Sequence, residues 1–236
     1  MALERQSRRS SSCLSCEFRS LRMFCNLSAA ELQDLDSIGT QWRLPKGAIL
    51  FQEEDPSDHV AVLCEGQVKL FCTSAEGKTL ILKIAGPGDV LGLGAVIAKT
   101  PYEVTAQAIE PTLVKNVRRD DFIAFLERHG EASMHATRAL SDEYKAAFYD
   151  AKRLALSSSA AGRLASVLLE WGRSASCGKP QLQFTMSLTH EELASLAGIS
   201  RETVTRVLSR LQREKLIRIH GASVTILAPE ELAHLS

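Results

Sequence analysis

Hydrophobic and polar residues alternate with a period of two in short runs between Arg43 and about Val117. Because successive side chains of a β-strand point to opposite faces, this alternation predicts strands with one buried face. The alternating positions are Val60 and Val62; Val68, Leu70 and Cys72; Leu80, Leu82 and Ile84; and Val104, Ala106 and Ala108. Turn residues such as Gly86-Pro87-Gly88 separate the runs. About six or more short strands at this spacing are typical of an antiparallel sandwich or barrel.

Helical periodicity replaces this pattern on both sides of the strand-rich region. Before it, Ser28 and Glu31 form a capping box, which predicts a short helix through about Ile38. After it, one helix has an apolar face made of Phe122, Phe125 and Leu126. A longer helix is predicted from about Glu131 to Leu156.

The long helix carries a seam whose members are spaced 3, 4, 3, 4 and 3 residues apart. The members are Thr137, Leu140, Tyr144, Ala147, Ala151 and Leu154. Heptad spacing is typical of helices that pair along their length, and small alanines permit a close approach of the partner. We therefore expect a parallel homodimer, with contacts from Leu140, Tyr144, Ala147, Ala151 and Leu154. The alternative is that the seam packs on the strand-rich domain of its own chain.

These elements divide the chain into four segments. Residues 1–26 form an arm that contains three cysteines, residues 27–130 a strand-rich domain, and residues 131–156 the long helix. A C-terminal domain at residues 157–236 follows, and Ser157-Ser158-Ser159 caps its first helix. The expected fold class is therefore α+β.

The segment from Thr189 to Leu208 fits a helix-turn-helix. Thr189 and Glu192 form a capping box for the first helix, and Ser200 caps the second. Gly198 allows the positive φ of the tight turn. The second helix packs inward through Val204, Val207, Leu208 and Leu211. Further on, residues 217–219 and 224–227 flank a turn and predict a β-hairpin, or wing.

The other face of the second helix carries Arg201, Glu202, Thr205 and Arg206. In the major groove an arginine can bind guanine with two hydrogen bonds, and a glutamate can accept one from cytosine. His190, in the first turn of the first helix, would contact a DNA phosphate or be an ordinary surface residue. The predicted DNA contacts are thus His190, Ser200, Arg201, Glu202, Thr205 and Arg206.

The charge distribution agrees with a nucleic-acid partner. The 236 residues contain 28 Lys and Arg and 28 Asp and Glu. The segment from Lys152 to Gly221, however, contains 11 basic and 5 acidic residues, so its net charge is +6. The rest of the chain therefore has a net charge of −6. A basic segment of this kind suggests contact with a polyanion, although chance clustering gives the same pattern. No apolar run approaches the roughly 20 residues of a membrane span, and no secretory signal is evident, so we expect a cytoplasmic protein.

A strand-rich domain, a long helix and a winged helix-turn-helix together resemble the CRP/FNR family of bacterial transcription regulators. Two segments carry the resemblance most specifically: Gly86-Pro87-Gly88-Asp89-Val90-Leu91-Gly92 and Ile199-Ser200-Arg201-Glu202-Thr203-Val204-Thr205-Arg206. The resemblance implies a jelly-roll β-roll like that of cyclic-nucleotide-binding domains, a homodimer through the long helix, a two-fold symmetric DNA operator and RNA polymerase as a partner. It also implies that Arg201, Glu202 and Arg206 read bases, whereas Thr205 departs from the residues common in the family.

Family members that bind cyclic AMP have a glutamate soon after this glycine-rich turn and an Arg-Ser pair on the next strand. Here the first region is Gly92-Leu93-Gly94 and the second is Tyr102-Glu103-Val104-Thr105. The ribose-binding carboxylate is missing, and Glu103 lies near the place of the phosphate-binding arginine. Because a carboxylate repels a phosphate, we expect no cyclic-nucleotide binding.

The arm cysteines, Cys13-x2-Cys16-x8-Cys25, resemble the N-terminal cluster of the FNR branch, which holds a [4Fe–4S] cluster with a fourth cysteine from the β-roll. Where that branch usually has this cysteine, the present chain has Lys115. Cys64 or Cys72 would have to substitute, or both are core residues. Three alternatives therefore stand for the arm: an iron–sulfur cluster, another thiol or zinc role, and no metal. Cys177 is expected to be incidental.

Other functions fit the residues less well. A cupin-like enzyme domain would need histidine and carboxylate ligands on neighbouring strands, and the strand-rich region has only His59. We therefore expect no enzyme. A further alternative is constitutive DNA binding, with the β-roll as a ligand-free scaffold.

Overall fold

The computed structural model describes residues 12–16, 19–77, 79–156, 159–176, 182–186 and 188–235. Of these, the residues up to Cys72 together with Leu82–Ala146 form one compact unit. Thr73–Ile81 together with the described residues from Ala147 onward form a second unit. Residues 157–158 of the predicted cap, Cys177 and the side chain of Leu154 lie outside the described residues. The third residue of that cap, Ser159, accepts the Gly162 N–H at 2.9 Å through its hydroxyl, so it caps the helix that begins at Ala160.

The first unit begins with three short 3₁₀ turns, Cys13–Ser15, Arg19–Leu21 and Met23–Cys25. Helix α1 (Ala29–Ile38) follows, and its capping box is confirmed. The Ser28 hydroxyl accepts the Glu31 N–H at 3.3 Å, and the Glu31 carboxylate accepts the Ser28 N–H at 2.9 Å. These bonds satisfy backbone donors that a helix start leaves without partners.

Eight strands then form two four-stranded sheets. The strands are β1 (Gly39–Leu44), β2 (Ile49–Phe51), β3 (His59–Glu65), β4 (Val68–Thr73), β5 (Thr79–Ala85), β6 (Val90–Leu91), β7 (Thr105–Ala108) and β8 (Thr112–Arg118). One sheet has the order β1-β8-β3-β6, and the other has the order β2-β7-β4-β5. The β1–β8, β3–β8, β3–β6, β2–β7 and β4–β7 pairs are antiparallel, as expected for a β-roll.

Strand β3 departs from the predicted alternation because both of its faces are buried. Ala61 and Leu63 belong to a core with residues of the other sheet, including Val68 and Ala106. Val60 and Val62 point to the opposite face, where helices cover them. That second core contains Phe24 of the arm, Leu32 and Leu35 of α1, Val117 of β8, Phe122, Phe125, Ala132 and Ala136. The arm and the helices are therefore packed on the outside of the β1-β8-β3-β6 sheet.

The remaining helices of this unit are α2 (Leu93–Ala98), α3 (Arg119–Arg128) and the long α4 (Gly130–Leu156). The hydrophobic pattern did not predict α2, which begins directly after the glycine-rich turn. Helix α4 has 27 residues, so it extends for about 40 Å. Its bounds agree with the predicted long helix.

The second unit contains α5 (Ala160–Ser176), β9 (Leu182–Thr185), α6 (His190–Ala197), α7 (Arg201–Arg213), β10 (Ile217–His220), β11 (Ser223–Ile226) and α8 (Pro229–Ala233). Its three strands pair in the order β10-β11-β9. The predicted wing is therefore confirmed, with β9 as an additional strand that the sequence pattern did not show. No described helix combines the length and apolar character that crossing a bilayer requires.

Candidate nucleic-acid interface and thiol cluster

Helices α6 and α7 form the predicted helix-turn-helix. Thr189 caps α6 by accepting the Glu192 N–H at 3.2 Å, and the Glu192 carboxylate accepts the Thr189 N–H at 3.0 Å. Gly198 ends the helix with a φ of 63°, in the left-handed region where a side chain is strained. The Ser200 hydroxyl then caps α7 by accepting the Thr203 N–H at 3.2 Å. The local signals in the sequence therefore define the end of the first helix and the starts of both.

Helix α7 separates its apolar and polar residues completely. Val204, Val207, Leu208 and Leu211 are buried. Arg201, Glu202, Thr205 and Arg206 are exposed, as the sequence predicted. Hydrogen bonds at the helix N-terminus, from its own backbone and from Ser200, lower the pKa of Glu202, which keeps this carboxylate charged. Contacts of these side chains with bases remain a prediction.

His190 and Thr205 contact each other across the two helices. The His190 Nδ1 lies 2.9 Å from the Thr205 hydroxyl, which is also 3.2 Å from the Arg201 carbonyl oxygen. Because only a donor hydroxyl can bond to a carbonyl, Thr205 donates to Arg201 and accepts from the His190 Nδ1–H. The Nε2 atom of His190 is then left for a further partner. The sequence predicted separate DNA contacts for the two residues and did not indicate this bond, because they are 15 residues apart.

The predicted seam of α4 has two different environments. Leu140 is half-buried and packs against the helix-side core of the first unit, as the packing alternative expects. Tyr144 is 73% exposed, and Ala147 and Ala151 are exposed too. Phe148 and Tyr149 are also exposed, at 60% and 66%. Heptad spacing did not point to these two residues, because Phe148 flanks the seam and Tyr149 lies on the opposite side of the helix.

Charged side chains come together near the glycine-rich turn. Asp89 accepts the Gly86 N–H at 2.9 Å and pairs with Lys83 at 3.2 Å. Burial raises the pKa of Glu143 on α4, and the nearby carboxylates of Asp89 and Glu103 raise it further, against the opposite effect of Lys83. A phosphate near Glu143 would be repelled by this carboxylate and by those of Asp89 and Glu103, and attracted by Lys83.

The arm is tied to α1 by Asp36. One carboxylate oxygen, Oδ2, accepts the Ser12 hydroxyl at 2.6 Å and the Cys13 N–H at 2.9 Å. The other, Oδ1, accepts Lys115 Nζ from β8. Lys115 is only 2% exposed, so Asp36 is the counter-ion of a buried ammonium group. Asp36 therefore connects the arm, α1 and the β-roll.

One β-roll thiol, that of Cys64, lies within electrostatic range of the three arm thiols. Cys64 interacts with Cys13, Cys16 and Cys25, and Cys25 also interacts with Cys16. Burial raises the pKa of Cys13 to about 12 and that of Cys25 to about 11, and it also raises the pKa of Cys64. Cys72 lies on β4, in the other sheet.

The thiols of the cluster are free. The five cysteines within the described ranges form no disulfide. Across that same part of the chain, no three His, Cys, Asp or Glu side chains are close enough together to hold a metal ion as they stand. The four thiols are soft donors, and thiolates of this kind suit iron–sulfur clusters and thiophilic metal ions.

Comparison with known families separates the chain into two regions. Residues 41–129 match the cyclic nucleotide-binding domain, and residues 162–235 match the Crp-like helix-turn-helix domain. The first range covers the β-roll and the second covers the winged helix-turn-helix.

Proteins with known roles resemble the chain over most of its length. It is 30% identical over 190 residues to the CRP-like cAMP-activated global transcriptional regulator of Mycobacterium tuberculosis, covering 80% of this chain and 84% of that protein. It is 29% identical over 228 residues to the transcriptional activator protein Anr of Pseudomonas aeruginosa, covering 95% of this chain and 92% of Anr. The structure of FixK2 from Bradyrhizobium japonicum has a TM-score of 0.76 at 22% identity, covering 84% of this chain and 98% of FixK2, a likeness of fold alone.

Proposed function

The chain belongs to the CRP/FNR family of DNA-binding transcription regulators, and from this premise we propose that it binds a two-fold symmetric operator as a homodimer. The observation that carries the proposal is the exposed polar face of α7. The helix is capped by Ser200, and its apolar face is buried in the core of the helix-turn-helix. In such motifs the second helix enters the major groove, and dimers read half-sites about 34 Å apart.

The roles of individual residues follow from their positions on α7. Arg201, Glu202 and Arg206 read base edges, because their side chains are exposed and their donors and acceptors suit guanine and cytosine. Ser200 and Thr205 add contacts near the start of the helix. His190 in its imidazolium form would donate to a phosphate through Nε2–H, since Nδ1–H donates to Thr205.

The homodimer is supported by the aromatic face of α4. Tyr144, Phe148 and Tyr149 are each at least 60% exposed on one helix. Large apolar side chains of this kind mark interaction surfaces, and a second copy of α4 would cover Tyr144 and Phe148 along the predicted seam. As a cytoplasmic regulator, the dimer would act on transcription through RNA polymerase and would have no catalytic activity of its own.

A DNA selection experiment tests this proposal. The purified full chain is incubated with a random DNA pool, the bound sequences are determined, and the complex is sedimented. We expect a two-fold symmetric consensus bound by two chains. A single asymmetric site bound by one chain would contradict the proposal.

The signal is proposed to act at the arm. Cys13, Cys16 and Cys25, with a fourth thiol of the β-roll, would hold a [4Fe–4S] cluster, and the soft donor set supports this. A bound cluster would supply a redox-active group that reacts with oxygen or nitric oxide.

Cyclic AMP is not proposed as the signal. One relative is named as cAMP-activated, but here the carboxylates of Asp89 and Glu103 lie within electrostatic range of Glu143, an arrangement that disfavours a phosphate. Titration of the apo protein with cyclic AMP in a calorimeter should give no binding heat. Saturable binding would contradict this part of the proposal and favour the β-roll as the sensor.

A further inference from the structure

We infer that operator binding takes up one proton per chain at His190, because Thr205 holds the single hydrogen of the neutral imidazole ring on Nδ1. The inference rests on the proposed DNA binding and adds a chemical condition to it. His190 contacts a DNA phosphate only as an imidazolium ion, so the affinity for DNA is coupled to pH.

The hydrogen bond between α6 and α7 fixes which ring nitrogen carries hydrogen. The Thr205 hydroxyl lies 3.2 Å from the carbonyl oxygen of Arg201, four residues earlier on α7, and hydroxyls inside a helix commonly donate to that carbonyl. Because a hydroxyl has one hydrogen to donate, its oxygen accepts from the His190 Nδ1, 2.9 Å away. Nδ1 therefore carries hydrogen in the neutral ring as well as in the protonated ring.

The other ring nitrogen, Nε2, is the atom that protonation changes. Neutral imidazole has one N–H, so Nε2 of neutral His190 is an acceptor, and no residue that the structure describes bonds to it. The oxygens of a DNA phosphate are acceptors as well, so the neutral ring cannot bond to them. Protonation turns Nε2 into a charged donor, and charge-assisted hydrogen bonds to phosphate are stronger than neutral ones.

The ring lies beside the polar face of α7. His190 is half-buried in the first turn of α6, and its partner Thr205 is exposed on α7 near Arg201 and Arg206. When the second helix of such a motif enters the major groove, the first helix crosses the DNA backbone. Operator binding therefore brings backbone phosphates to the helix that carries His190.

The protein charges around His190 nearly balance. The charged residues of the adjoining turns are Glu191 and Glu192 on α6 and Arg201, Glu202 and Arg206 on α7. On α5, Arg163 bonds to the Ala197 carbonyl, at the opposite end of α6. A phosphate is therefore the large change in charge that the ring meets on binding, and a negative charge favours the imidazolium. By linkage, the proton raises the affinity for DNA by the same factor as DNA raises the affinity for the proton.

The test follows operator affinity over the range in which histidines titrate, about pH 5 to 8. Fluorescence anisotropy at constant ionic strength compares the full-length wild type with His190→Gln and His190→Arg. His234→Gln is the matched control, because His234 is an exposed histidine at the end of α8. We expect the wild type and the control to lose affinity by about 5–150-fold from about pH 6 to about pH 8.

The two His190 variants should lose this pH dependence in different ways. His190→Gln should bind more weakly than the wild type at low pH and equally at all pH values, because glutamine does not titrate. His190→Arg should bind as tightly at high pH as at low pH, since a guanidinium group stays protonated. Retention of the wild-type pH dependence in His190→Gln would overturn the inference, because the proton would then bind elsewhere.

Calorimetry and NMR test the two parts of the inference directly. Heats of DNA binding in buffers of different ionisation enthalpy should show net proton uptake by the wild type and none by His190→Gln. Nitrogen NMR of the free wild type above the titration range reports the tautomer without DNA. We expect hydrogen on Nδ1 of His190; hydrogen on Nε2 would overturn the inference.

The outcomes separate this inference from the proposed function. A symmetric operator that two wild-type chains bind equally well at every pH would leave the proposed function standing and overturn the inference. Absence of DNA binding at every pH would remove the proposed function, and the inference with it. Should circular dichroism show His190→Gln unfolded, Thr205→Val provides the comparison, because it frees the neutral ring to carry its hydrogen on Nε2. Proton uptake should then decrease, and unchanged uptake would overturn the inference.

Discussion

Arg206 tests base recognition at the scale of a single residue. Arg206→Ala should lower specific operator affinity by about 1–3 kcal/mol and relax the preference at one base position in each half-site. Fluorescence anisotropy with the selected operator and its single-base variants measures both effects. Arg213→Ala is the control, because Arg213 lies in the last turn of α7. An equal loss on every DNA sequence would mean that Arg206 contacts only phosphate.

Thr205 tests the bond between the two helices. Thr205→Val keeps the shape of the side chain but removes the hydroxyl that accepts from His190 Nδ1. Because His190 then loses its orientation, we expect weaker binding to all DNA sequences and a smaller salt dependence of affinity. Thr205→Ser should behave like the wild type. Changed preference at one base, with unchanged salt dependence, would instead make Thr205 a base-reading residue.

Glu143 provides a prediction about pH. Its pKa is raised in the folded state, so its contribution to stability is present below the unfolded pKa of about 4.5 and is lost as the pH rises through the folded pKa. Glu143→Gln should therefore raise the Tm at pH 7, and the difference should disappear near pH 4. Thermal unfolding at both pH values measures this, with Glu127→Gln on the exposed side of α3 as the control. A lower Tm for Glu143→Gln at pH 7 would show that its attraction to Lys83 dominates.

At the scale of an element, α4 carries the prediction for the dimer. Tyr144→Glu places a charge on the exposed aromatic face without entering the core, since Tyr144 is 73% exposed. We expect a monomer in sedimentation velocity, a nearly unchanged circular dichroism spectrum and weaker operator binding. Glu127→Lys on α3 is the control for a surface charge change. A dimer of unchanged stability would place the interface elsewhere.

The elements that the sequence predicted well are those whose signals are local. The capping boxes at Ser28 and Thr189 and the glycine turn at Gly198 depend on residues within one turn of each other, so the pattern suffices. The exposed face of α7 follows from its 3.6-residue period in the same way. In contrast, α2 and β9 are short, and their form depends on the neighbours that they pack against.

Contacts between distant residues could not be predicted in this way. Lys115 was recognised in the sequence only as the absence of a cysteine, whereas the structure pairs it with Asp36, 79 positions away. The burial of both faces of β3 likewise depends on the arm and helices that cover the second face. The position of Cys64 among the arm thiols has the same origin, since no spacing rule relates residues 13, 16, 25 and 64.

At the scale of the whole molecule, the thiol site and the long helix share one core within the first unit. Phe24 of the arm packs in the same cluster as Ala132 and Ala136 of α4, and Cys13 and Cys25 border that cluster. A change of state at the thiols can therefore bias the position of α4. A ligand can shift the equilibrium between two states of a protein only by the ratio of its affinities for those states. Such coupling typically changes the affinity at the second site, here for DNA, by about 5–150-fold.

The most direct test of this account is operator affinity as a function of the state of the thiol site. Wild-type protein loaded anaerobically with iron and sulfide is assayed on the selected operator before and after exposure to air, beside Cys64→Ser treated identically. The account predicts that air lowers the affinity of the wild type by at least about fivefold and leaves that of Cys64→Ser unchanged. Equal affinities of the wild type before and after loss of a demonstrated cluster would contradict it, and would identify a constitutive DNA-binding dimer.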